Sequence, residues 1–98
     1  MKQHRYRITV EHLSDAQGAP MSVEPLCFET GNHDDLLAIV ARMRSRADFD
    51  SDTATSLAIG LKLFGEVLLT HREHPLFAEF SPHFGAFMKR LKQGPAQS

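Results

Sequence analysis

The residues with the types and spacing to do chemistry fall into three groups. His71 and His74 stand three apart with Glu73 between them, which can place two imidazoles on one helix face. Zinc needs three or four ligands with outer support, so His33 and His83 would have to complete the set. Nothing local joins them, and no HExxH pattern is present. Histidines at the negative end of a helix account for the pair, and no metal site is expected. His33-Asp34-Asp35 sets an imidazole beside two carboxylates, a grouping capable of acid–base work. The same residues suit the start of a helix, with Asn32 as N-cap and the aspartates in the first turn. The third group is Arg5, Arg7, Arg42 and Arg46 with Cys27. A reactive thiolate needs nearby positive charge, and four arginines are the material of an anion site. Their competing explanation is a solvated face balanced by Glu11, Glu29 and Asp48. Neither a catalytic set nor a cofactor site emerges: GLKLFGE lacks the GK[ST] of a phosphate loop, and no GxSxG is present.

The elements that would position these groups follow from periodicity. Residues 4–13 alternate, with Tyr6, Ile8 and Val10 on one face and Arg5, Arg7 and Thr9 on the other, the pattern of a strand with one buried face. Asp15 and Gly18 mark a turn. A second strand is expected within 21–30, with a β-bulge at Glu24–Pro25 that would bring Val23, Leu26 and Phe28 to one face. Cys27 then faces away from Leu26 and Phe28, on the side of Arg5 and Arg7.

A helix from about residue 34 to Arg46 carries Leu36, Leu37, Ile39, Val40 and Met43. A second, over about 53–71, carries Ala54, Leu57, Ala58, Leu61, Phe64 and Leu68. Gly60 and Gly65 inside it imply close approach of another backbone. Alternation of Leu61, Leu63, Val67 and Leu69 competes as a strand, but the unbroken three–four spacing favours a helix. Pro75 ends it, and Leu76, Phe77 and Phe80 form a short helical turn. Ser81-Pro82 starts a last helix, with the serine as N-cap. Gly85 would allow close helix approach, and Gly94-Pro95 stops the chain before a disordered tail over 94–98. The fold class is therefore α+β, a β-hairpin followed by three helices (ββααα), in two layers, within a single domain.

Composition narrows the function classes. The 98 residues are 42% apolar and 23% charged, and 11 basic residues nearly cancel 12 acidic ones. A dedicated nucleic-acid binder carries a basic excess, which is absent, so no nucleic-acid partner is expected. Cys27 is the lone cysteine, so no intrachain disulfide can form. The N-terminus has no signal-peptide run, and no unbroken apolar stretch has membrane-span length. A cytoplasmic protein with no membrane partner is the expectation.

HRYRITVE, NHDDLLAIV, GLKLFGEVLL and HPLF…PHFGAFMKRLK, in this order over about residues 2–93, resemble a family of small uncharacterised bacterial proteins that carry only a domain-of-unknown-function label. The resemblance implies a stand-alone domain of this length with a roll-like character. It implies no activity and transfers no catalytic or binding residue.

One surface remains that the polar groups do not explain. Phe77, Phe80, Phe84 and Phe87 cluster late, at mostly helical spacing, in a chain whose core must be thin. Exposed apolar side chains there, or the open edge of a two-stranded sheet, would meet a protein partner or a second copy. The functional expectation is a non-enzymatic interaction module, self-associating as a homodimer. The alternative is a small-ligand or anion-binding protein using Arg5, Arg7 and Cys27.

Overall fold

The computed structural model describes residues 2–94. The expected disorder of the tail lies, from residue 95 on, outside the described residues. The chain divides into two compact units, one ending at His33 and the other starting at Asp34.

The first unit is an antiparallel hairpin of β1 (His4–Val10) and β2 (Leu26–Asn32). Tyr6 pairs with Thr30, Ile8 with Phe28 and Val10 with Leu26, so the apolar alternation of both strands lands on one face. The other face pairs Arg7 with Glu29 and Thr9 with Cys27. β2 begins after Pro25 and runs to Asn32, which corrects the expected strand within 21–30. No bulge is needed, because proline stays outside the ladder and Val23 is not part of the strand. The connection narrows to a turn centred on Asp15. Its carboxylate accepts from the backbone N–H groups of Gln17 and Ala19, both at 2.9 Å. Gly18 takes φ +88°, a region that L side chains rarely adopt.

The second unit is helical: α1 (Leu36–Arg44), α2 (Ser51–Thr70), the one-turn α3 (Pro75–Ala78) and α4 (Ser81–Lys92). The doubtful stretch 61–70 is helix throughout. α1 packs on α2, and the buried apolar residues are Leu36 and Val40 from α1 with Ala54, Ala58 and Leu68 from α2. The alanines let the helices approach closely. Arg44 of α1 fastens the pair by donating to the Thr55 hydroxyl at 2.8 Å.

Helix starts differ from expectation in instructive ways. Asn32 is not the cap of α1; it still belongs to β2 and is 1% exposed. Asp35 is the cap, with extended backbone and a carboxylate accepting from Ala38 N–H at 3.2 Å. Asp34 and Asp35 thus precede the first turn instead of occupying it. Ser81 lies inside α4 and does not cap it; its hydroxyl donates back to Phe77 O at 2.9 Å. The glycines also differ from expectation. A methyl group on Gly65 would lie 3.4 Å from the Phe84 ring, so a side chain approaches there, not a backbone. Gly60 and Gly85 face open space. α2 is long and apolar enough, by length and composition only, to cross a membrane, with mean hydropathy 1.3.

Candidate functional site

The expected anion set separates into two places. On the hairpin, strand alternation brings Arg5, Arg7 and Cys27 to one exposed face, as the register requires. Glu29 takes both guanidinium groups, Arg7 at 3.2 Å and Arg5 at 3.6 Å. Cys27 is exposed and receives the Thr9 hydroxyl at 3.6 Å, a weak contact to sulfur. Exposed pairs of this kind contribute at most about 1 kcal/mol. Glu29 lies between the two arginines and offsets one of their two positive charges.

Arg42 and Arg46 belong to the helical unit and line a groove of about 800 Å³ beside the C-terminal ends of α1 and α4. Ile39, Met43, Met88 and Leu91 supply its apolar lining and are all half-buried. Among the described residues, four cationic side chains line it, Arg42, Arg46, Lys62 and Lys92, and no carboxylate does. Two of the four are committed. Arg46 lies past the end of α1 with its side chain 14% exposed. It donates to both carboxylate oxygens of Asp48, at 2.9 and 2.7 Å, and to Leu91 O at 3.3 Å. Its guanidinium also lies 5.7 Å from the Phe49 ring centroid. The fork geometry holds the Asp48 carboxyl below its ordinary pKa and raises that of Arg46, the mutual hydrogen bond being the chief cause and partial burial opposing it. Lys62 pairs with Asp34 at 2.9 Å. Arg42 and Lys92 are exposed and form no ion pair among the described residues.

Sequence reasoning found Arg42 and Arg46 but missed Lys62, Lys92 and the two methionines. Lys62 carried a usable signal, a lone cation between Leu61 and Leu63 in an apolar helix. Lys92 did not, because a helix C-terminus explains a lysine by itself.

The histidines have local work. His74 caps α3, its Nδ1 accepting from Leu76 N–H at 3.1 Å. His71 Nδ1 sits 2.9 Å from the Thr70 hydroxyl and 3.0 Å from Val67 O. They line, with four other consecutive residues of the same turn, a depression of about 460 Å³ that brings no distant element to bear. Three of the late phenylalanines gather round one that had been assigned only to the helix face. Phe64 of α2 has Phe77, Phe80 and Phe84 at ring-centroid distances of 6.3, 5.9 and 5.5 Å. Phe80 and Phe87 stay exposed.

Residues 4–93 match the family described as a domain of unknown function with a solved structure, DUF3861. The chain belongs to this family. It is also similar, at 39% identity and a TM-score of 0.80, to a protein of unknown function from Pectobacterium atrosepticum SCRI1043 solved by crystallography. That likeness covers 94% of this chain and 99% of the other. No curated protein matches it. The family accordingly carries the fold and leaves the chemistry to be argued from the residues.

Proposed function

We propose that this chain is a non-enzymatic protein-interaction module that associates with a second copy of itself, in the cytoplasm, through the apolar face of its hairpin. The observation that carries the proposal is the exposure of that face. Val10 is 53% exposed, Leu26 62% and Phe28 42%, although the register has aligned them on one side. Among the described residues up to His33, no apolar side chain is buried. A two-stranded sheet with no buried apolar residue is marginal in water. Covering such a face is the ordinary remedy, and each large side chain fully removed from water contributes about 1.5–3 kcal/mol. Each strand also has one edge without a neighbouring strand among the described residues, which a second hairpin can extend.

Light scattering coupled to size exclusion at low micromolar concentration tests this. The expected mass is twice that of the 11.0 kDa chain. Phe28→Asp, with circular dichroism to show that it folds, should return it to a monomer. A wild-type monomer, or a dimer indifferent to folded Phe28→Asp and Leu26→Asp variants, would sink the idea.

A further inference from the structure

We infer that the groove at the C-terminal ends of α1 and α4 is a binding site for a small amphiphilic anion, a carboxylate carrying an apolar body. Its volume of about 800 Å³ falls within the roughly 300–1,000 Å³ of small-ligand sites. The lining divides as such a ligand divides. Ile39, Met43, Met88 and Leu91 offer an apolar wall, and the two methionines adapt to irregular shapes without a fixed rotamer. Arg42 from α1 and Lys92 from α4 supply the charge, and neither is spent on a carboxylate among the described residues.

The helix dipole explains cations in a last turn, and Arg44, Lys89 and Arg90 meet that need outside the groove. It does not explain why every described ionisable side chain lining an apolar groove is a cation. The two committed cations sharpen the selectivity. Arg46 and Lys62 are each paired with a carboxylate that does not itself line the groove, Asp48 and Asp34, so among the described residues no carboxylate lines the path of an entering anion. A neutral apolar molecule would gain the wall but leave two cations beside it partly desolvated, and a cation would be repelled. Arg42 can accept a carboxylate in a bidentate manner, and Lys92 adds a point charge.

Titrating the full chain with a dansyl-labelled undecanoic acid, and separately with its methyl ester, tests the site. The acid is expected to bind saturably at one site per chain. The ester should bind about tenfold more weakly or worse, the scale of one charge-assisted hydrogen bond. Arg42→Gln and Lys92→Gln should each reduce the affinity for the acid to a similar degree and leave that for the ester unchanged. Both side chains are exposed, so these variants should keep the wild-type circular dichroism and the wild-type mass by light scattering. Failure of the hairpin interface would show in that mass and not in the titration. Equal binding of acid and ester, no saturable binding, or acid binding unchanged in both variants would overturn the assignment.

Discussion

The hairpin and the helical unit use the same kinds of residue differently. In the helical unit some apolar side chains form a core, Leu36, Val40, Ala54, Ala58 and Leu68, while others, Leu37, Phe64 and Phe87 among them, stay exposed. In the hairpin they are aligned by register and then left in contact with water. The polar residues divide the opposite way. The hairpin's two arginines converge on Glu29, which offsets one of their charges, whereas the helical unit places Arg42 and Lys92 beside an apolar wall that no carboxylate among the described residues lines. One unit therefore has an apolar face with no buried apolar side chain and arginines gathered on one carboxylate, the other a buried core and cations beside an apolar groove. The first combination suits a protein surface, and the second a small anion.

The largest effect that can break this contrast comes from two leucines. Leu36 is 2% exposed, and Leu36→Ala should cost about 2–5 kcal/mol from lost transfer and the cavity left behind. Leu26→Ala, on the open face, should cost within about 0.5 kcal/mol in a dilute monomer. Urea unfolding at two protein concentrations tells them apart. The Leu36→Ala loss should be the same at both, while the Leu26→Ala loss should grow with concentration as association begins to contribute. A Leu26→Ala loss that stayed the same at both concentrations would mean that association does not use the hairpin face, and the contrast between the units would be lost.

A smaller effect sharpens the comparison at the level of local backbone. Each unit has an aspartate whose carboxylate accepts from its own backbone: Asp15 in the hairpin turn and Asp35 at the start of α1. Asp35→Ala should cost about 1 kcal/mol, the usual loss for an N-cap, seen in the thermal midpoint. Asp15→Ala should leave helical circular dichroism unchanged, because its hydrogen bonds are confined to residues 15–19. Loss of helical signal in Asp15→Ala would refute that independence.

Much of the architecture was legible because period-two and three–four patterns report directly on strands and helices. Arg5, Arg7 and Cys27 share a face for the same reason: alternation fixes it once the strands are known. Caps were harder. Asn32, Asp34 and Asp35 are all competent N-caps, and only the length of β2, which claims Asn32, makes Asp35 the cap. Pro25 was misread as a bulge because the strand was begun too early. The groove was illegible. Ile39, Met43, Met88 and Leu91 are ordinary helix-face residues, and their meeting depends on tertiary placement that no local spacing encodes. Phe64 likewise read as one core residue among several, and its ring contacts join α2 to residues 77–84.

The smallest effect concerns acid, and it separates the two kinds of ion pair. Arg46 grips Asp48 with two hydrogen bonds from a largely sheltered side chain, and the Asp48 carboxyl is held below its ordinary value by that grip. A carboxylate whose pKa is lower folded than unfolded stabilises the fold fully above its unfolded value of 3.8. That contribution is lost as pH falls from there through the folded value, because the unfolded chain then takes up the proton first. Thermal midpoints measured from pH 6 downward should therefore decline below about pH 4, and Arg46→Gln should flatten the decline as well as lower the midpoint at pH 6. Arg7→Gln should do neither, since its pair with Glu29 is exposed on the hairpin and screened by solvent. If Arg7→Gln flattened the acid limb as much as Arg46→Gln, charge on the hairpin would be structural, and its arginine face could not be treated as indifferent to the fold.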